Sequence, residues 1–225
     1  MKRASKLLSD SDRKKISEAV AEAEKTTSGE IVTTIATSSG RYDRAEDIFG
    51  LLVGLVSLGL CWMWFQGVVT PAGAWGEVGI ALGLLPCIAI VVVGFALGSA
   101  LATYFPVLRS PFIPKTEILE DVARSAHEVF ARERVRGTAG GTGILIYLSL
   151  YERVVHILPD DAIAEKVDSQ AWNEVRDLVI NGIVEKRLAD GLVDAVAKCG
   201  ELLSEHFPIQ PGDENELTNE LRIID

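Results

Sequence analysis

The sequence predicts an α/β fold, a small three-layer sandwich with a central sheet, whose chain is interrupted by a two-helix transmembrane hairpin. Three observations carry this. Ile48 to Gly76 and Val78 to Leu108 contain no charged residue, and only Glu77 separates them. Each run exceeds the roughly 20 apolar residues that a helix needs to cross a bilayer core. Two short stretches, Glu30 to Thr37 and Ile144 to Ser149, have the β-branched and apolar content of buried strands. Segments before, between and after them repeat apolar residues at helical spacing.

Size and charge bound the rest. Outside the apolar hairpin, about 47 residues precede it and about 117 follow, together one ordinary domain. The expected division is 1–47 as the first part of one domain, 48–108 as the hairpin, 109–207 as the second part, and 208–225 as an acidic tail. Residues 1–47 carry nine Lys/Arg and nine Asp/Glu, whereas 109–225 carry thirteen against twenty-two. An acidic domain argues against nucleic acid as a partner, because binding a phosphate backbone needs a basic face.

Asp10 or Ser11 is the expected N-cap of the first helix, with Ile16, Val20 and Ala23 on its apolar side. Glu30 to Thr37 follows as a strand, ended by Ser38, Ser39 and Gly40. The polar segment 41–47 leads into the first span, 48–69, whose Trp62, Trp64 and Phe65 suit an interfacial belt. The second span is 78–104, and Pro86 is expected to kink it by removing a backbone hydrogen bond. Turn formers Pro71, Gly73 and Gly76 join the two. Gly50 and Gly54 make one GxxxG and Gly94 and Gly98 another, a spacing that lets helices approach for hairpin packing or for self-association.

Neither span contains Asp, Glu, Lys, Arg or His, which argues against transport. Arg41 and Arg44 before the hairpin, Arg109 and Lys115 after it, and a joining loop without Lys or Arg place both termini in the cytoplasm of a two-pass inner-membrane protein. No cleavable signal peptide is expected, since the first long apolar run comes too late.

Beyond Pro106, Pro111 and Pro114, Thr116 is expected to cap a helix with Ile118, Val122, Ala126 and Val129 inward. Arg132, Arg134 and Arg136 close it, and Gly137 to Gly143 forms a turn into the central strand. Val154 to Leu158 pairs with that strand as a hairpin. Asp160 or Asp161 starts a short helix, Asp168 or Ser169 caps the next, and Leu188 to Phe207 forms the last. Pro208 to Asp225 has few anchors and is expected to be extended or poorly ordered.

The stretches SGEIVTTIAT, GTGILIYLSL, YERVVHILPDDAI and IVEKRLADGLVDAV, in this order, resemble the TPM domain family over residues 9–206 without the hairpin. The resemblance implies an α/β sandwich. It also implies one of two roles: assembly or maintenance of a membrane complex, or metal-dependent phosphatase activity with a divalent cation such as calcium. The chain departs from the family pattern in its glycine turn, which lacks a carboxylate, and after the paired strand, where the expected glycines are replaced by Ile157, Leu158 and Pro159. Asp160 and Asp161 match the acidic position that follows.

Candidate chemistry is therefore sparse. Asp160 and Asp161 are oxygen ligands for a cation, although calcium takes six to eight such ligands, and an aspartate here also serves as a helix N-cap. Arg132, Arg134 and Arg136 beside the glycine turn are candidate anion or partner contacts, but the GxxxxGK[ST] pattern is absent. His127, His156 and His206 are far apart in sequence. Cys61, Cys87 and Cys199 show no ligand spacing and read as buried thiols. Three functions are expected in order: an accessory factor binding a membrane protein complex, a phosphatase, and a self-associating hairpin carrying a passive domain.

Overall fold

The computed structural model describes residues 3–65, 82–138, 140–213 and 215–225. The predicted turn at 71–76 and the loop-side ends of both predicted spans lie outside the described residues. Residues 1–40 and 118–225 form one compact unit and 41–117 another. These boundaries assign the segments flanking the apolar runs to the hairpin unit.

The α/β unit starts with helix α1 (Asp10–Glu24). Its N-cap is Ser9, which forms a capping box with Asp12, so the cap precedes the expected Asp10 or Ser11. The reciprocal bonds satisfy two N–H groups that a helix start otherwise leaves open. Strand β1 (Glu30–Ala36) follows and is buried throughout. After the hairpin come α4 (Lys115–Arg132), β2 (Gly143–Ser149) and β3 (Val154–Pro159). Helices α5 (Asp161–Lys166), α6 (Ala171–Val184) and α7 (Leu188–His206) complete the helical part. Thr116 lies inside the first turn of α4 and does not precede it. Helix α6 lacks a side-chain cap; Asp168 instead accepts the Gln170 N–H at 2.9 Å.

The tail departs from expectation. Arg222–Ile224 is a strand, β4, parallel to β1 with Ile35 opposite Ile223. The sheet therefore has four strands in the order β3-β2-β1-β4. Three residues are too few to show a period in the sequence, and β4 exists because β1 offers it an edge. Asp225 then ties the two ends of the chain: its carboxylate accepts the Ser5 N–H at 3.1 Å and the Thr37 hydroxyl at 3.0 Å.

Strands β1 and β2 run parallel, Glu30 opposite Gly143 through Ala36 opposite Ser149. Their alternation divides the core. Ile31, Ile35, Ile144, Ile146 and Leu148 pack with α1, α6 and α7. Val32, Ala36, Leu145 and Tyr147 meet Val122, Ala126 and Val129 of α4. A strand covered on both faces needs apolar residues at every position. This is why GILIYLS reads as one continuous run.

In the hairpin unit, α2 (Asp43–Phe65) has 23 residues and α3 (Leu84–Tyr104) has 21. Both are long and apolar enough to cross a membrane, and their side chains are mostly outward. Helix α2 begins at Asp43, so the predicted polar lead is its first turn. Pro86 is the third residue of α3. There the missing N–H has no intrahelical partner to lose, so the predicted kink has no cause.

The four glycines bring the helix backbones together. A Cβ on Gly94 would sit 2.8 Å from the Gly54 Cα, and one on Gly98 would sit 2.8 Å from the Gly50 Cα. Gly94→Ala and Gly98→Ala are each expected to weaken the α2–α3 contact by about 1–3 kcal/mol, as overpacking does. Gly59 has nothing within 4 Å of its Cβ position, so Gly59→Ala is the neutral control. Detergent titration followed by energy transfer between labels on the two helices measures the difference.

At the base of the hairpin, Arg109 is ion-paired with Glu46, both largely buried, and lies 5.7 Å from the Tyr42 ring centroid. Arg44 bonds Glu117 at 2.7 Å. Phe49 and Phe112 meet edge to face with centroids 6.2 Å apart. With Arg41 at 3.4 Å from Asp43, all three arginines that set the predicted orientation are ion-paired within this unit.

Candidate functional site

Where α4 passes the end of β3, a groove of about 550 Å³ opens. Three residues of α4, His127, Phe130 and Ala131, line one wall, and Arg134, two residues beyond the helix, continues it. The i, i+3, i+4 spacing of the three places them on one flank of the helix. Leu158, Pro159, Asp160 and Asp161 form the other wall, and Arg136 with Gly137 closes one end.

The groove gathers most of the charged residues singled out in the sequence. Arg136 donates through Nη2 to Asp161 Oδ2 at 2.8 Å, and its Nε lies 3.6 Å from Asp160 Oδ1. Asp160, only 4% exposed, is also the N-cap of α5 and accepts the Asp161 N–H at 2.8 Å. Arg134 stands at the mouth with φ 57°, exposed, and among the described residues it has no ion-pair partner. Arg132 is left outside the groove, where it contacts Glu133 at 3.2 Å. Glu133 also holds Arg222 of β4 at 3.1 Å.

This arrangement decides what the groove can do. The two carboxylates are already bonded to a guanidinium and an N-terminal amide. Among the described residues no group of three or more His, Cys, Asp and Glu is placed to hold a metal. Calcium, with its six to eight oxygens, does not fit this donor set. The glycine turn makes a poor anion cradle for the same reason. Gly141, at φ +60°, packs beside the turn's carboxylate neighbour, and a Cβ there would lie 3.6 Å from Asp160 Oδ2. An anion bound on this side would face that buried carboxylate.

His156 of β3 lies on the α4 face, opposite Tyr147. Burial pushes its pKa below the usual 6.5, and the nearby His127 adds to this. His156 shares the α4 face of the sheet but does not itself line the groove. His206 ends α7 far along the chain, and Cys199 is fully buried, its thiol pushed up to about 12 by burial. A second groove of about 590 Å³ lies by Lys186, Arg187 and Asp190. Its cationic rim is largely neutralised, because Asp190 pairs with both Lys15 and Arg187.

Two polar clusters were not found by sequence reasoning. At the carboxyl ends of β1 and β2, Glu152 receives the N–H groups of Ser39 at 2.9 Å and Gly40 at 3.1 Å, and the Ser38 hydroxyl at 3.1 Å. Its other oxygen takes the hydroxyl of the fully buried Ser149. Ser39 Oγ also lies 2.7 Å from Ser149 Oγ and 3.0 Å from the Tyr147 hydroxyl. The carboxylate thereby fixes the loop that ends β1. The partners are 112 to 114 residues apart, so no local pattern announces them.

The second cluster holds the tail. Glu24 accepts the Ile31 N–H at 2.9 Å and the Asn219 carboxamide at 2.7 Å. Glu30 accepts the N–H groups of Glu216 at 3.0 Å and Leu217 at 3.4 Å. Burial pushes Glu24 up to about 7, and the charge of Glu30 adds to the rise. Glu30 is also raised, by burial and then by Glu216 and Asp213.

No family model and no curated protein matches the chain. Among solved structures, the chain is similar to the NMR structure of the BA42 protein from the psychrophilic bacterium Bizionia argentinensis. The identity is 19%, with 99% of each chain covered and a TM-score of 0.58. A likeness at that identity concerns the fold.

Proposed function

We propose that this chain is a membrane-anchored, TPM-like accessory protein that docks a segment of a membrane protein complex in the groove between α4 and β3. The hairpin is the anchor, crossing the inner membrane twice with both termini in the cytoplasm. The basic residues beside both spans and the charge-free spans support that placement. The order of elements around a mixed sheet, with helices on both faces, supports the TPM-like reading.

The observation that carries the docking role is the pairing of Arg136 with Asp160 and Asp161 beside an open, largely apolar groove. Groups cross-neutralised in this way shape a surface; they are not poised to polarise or attack a substrate. Phosphoryl transfer needs cations gathered around the phosphate, and here Arg136 is already paired with two carboxylates, which leaves Arg134 as the one unpaired guanidinium among the described residues that line the groove. That favours docking over the hydrolase alternative.

A photo-crosslinking residue at the exposed Ala131, in native membranes, tests the reading. The expected result is one discrete adduct with a defined membrane protein, absent when the crosslinker stands at the exposed Glu201 of α7. Arg136→Glu, which turns the ion pair into a repulsion, is expected to reduce the adduct several-fold. An identical adduct pattern from both crosslinker positions would overturn the proposal.

A further inference from the structure

The sheet order leaves β3 with an open edge. The Asp160 N–H donates to the Gly143 carbonyl at 2.8 Å. By the two-residue alternation of an antiparallel ladder, the even residues of β3 bond to β2, and the N–H and C=O groups of Val155 and Ile157 point away from it. An edge of this kind is a template for another strand. It is short, because Arg153 at φ 56° turns the chain at one end and Pro159 lacks an N–H at the other.

The groove lies beside this edge on the α4 side of the sheet. Val154 and Leu158 of β3 pack into the α4 layer, so His156 between them shares that face. A strand added at the edge would point every second side chain toward the flank of α4 that carries Phe130 and Ala131. At one end stands Arg134, exposed and without an ion-pair partner among the described residues. It is a local positive charge on a region where acidic residues outnumber basic ones by twenty-two to thirteen.

We infer that the occupant of the groove is an extended segment of the partner, which adds a strand to the edge of β3 and sets an acidic side chain on Arg134. This rests on the docking role proposed above. Main-chain bonds to Val155 and Ile157 supply affinity, and the alternate apolar side chains and terminal carboxylate supply selectivity. The competing occupant, a basic segment, is disfavoured by the same arginine; it becomes an arm of the test.

The test uses the full chain in lipid nanodiscs and three peptides. The first alternates threonine and valine and ends in two aspartates. The second ends in two lysines. The third is the first with alternate amides N-methylated, which removes main-chain donors and leaves the side chains. Binding is read by fluorescence anisotropy and by hydrogen exchange at Val155 and Ile157. The aspartate peptide is expected to bind and to slow exchange at both amides, and the other two to bind at least about tenfold more weakly, the loss of one charge-assisted bond or of the ladder.

Arg134→Asn, which tolerates the left-handed backbone, is expected to remove the preference for aspartate over lysine, and Arg134→Lys to retain most of it. No protection of Val155 and Ile157 by the aspartate peptide at about 1 mM, the weak limit of specific binding, overturns the inference. So does equal binding of the aspartate and lysine peptides. If the Ala131 adduct forms while these amides stay unprotected, strand addition fails and the docking role stands. If the adduct itself is absent, the docking role fails.

Discussion

Glu152→Ala is expected to destabilise the α/β unit by about 2 kcal/mol or more, since each donor left without an acceptor costs about 1–3 kcal/mol. The substitution strands the N–H groups of Ser39 and Gly40, while the Ser38 hydroxyl keeps the Gly40 carbonyl and the Ser149 hydroxyl keeps Ser39 Oγ. Ser149 is fully buried and water does not reach it. Ser39 then loses the geometry that sets its hydroxyl against Tyr147, whose own ionisation burial already disfavours. Glu152→Gln keeps one acceptor oxygen but presents an amide donor where two hydroxyls and two amides now donate. It is expected to recover only part of the loss. Chemical denaturation of the full chain in detergent, followed by near-ultraviolet circular dichroism, gives the comparison. A change below about 1 kcal/mol for the alanine variant, within the range of ordinary surface substitutions and single weak bonds, would show that the cluster is dispensable.

The docking of the tail is expected to weaken as pH rises from about 5 to 8. Glu24 binds its proton more tightly in the folded chain, its pKa moving from 4.5 to about 7. Between those values the native state holds a proton that the unfolded state has released, so stability falls as pH rises through the window. The full shift corresponds to no more than about 3 kcal/mol at 1.36 kcal/mol per pKa unit. Glu30, raised in the same direction, adds to it. The groups facing this pair are the carboxylates of Asp213 and Glu216 on the tail and the carboxamide of Asn219. His156 acts oppositely: its pKa is lowered, so its contribution rises with pH toward 6.5.

Hydrogen exchange separates the two, because it reads the tail directly. The amides of Glu216 and Leu217 and those of β4 are expected to exchange faster at pH 8 than at pH 5, after correction for the intrinsic rate. Glu24→Gln removes the titrating group and is expected to flatten the dependence. A pH-independent protection in the native sequence would mean that Glu24 is ionised without penalty.

Several features were legible in the sequence because they are local. The two charge-free runs give α2 and α3 by length alone, and the GxxxG spacings mark the residues at which those helices meet. Ile144 to Ser149 announces a strand covered on both faces, and Asp160 fits a helix N-cap. Smaller errors were also local. Ser9 caps α1 because Asp12 completes the capping box, and Pro86 sits where a helix start tolerates proline.

The groove was only half legible. Arg134, Arg136, Asp160 and Asp161 were each singled out. Their meeting was not, because 25 residues separate Arg136 from Asp161 and the strands β2 and β3 that bring them together pair through the fold. Arg132, one residue from Glu133, falls on the other side of the helix end.

The sequence by itself determined the membrane-compatible hairpin, the helices and the central strands, since each follows from the periodicity or run length of neighbouring residues. The tertiary structure alone decided that the tail supplies a fourth strand, that Glu152 and Glu24 hold segments more than a hundred residues away, and that Arg136 neutralises the aspartate pair. Strand β4 has three residues, and its stability comes from the edge of β1 and from carboxylates on α1 and β1. Such contacts are set by which surfaces meet, and one-dimensional spacing carries no record of that.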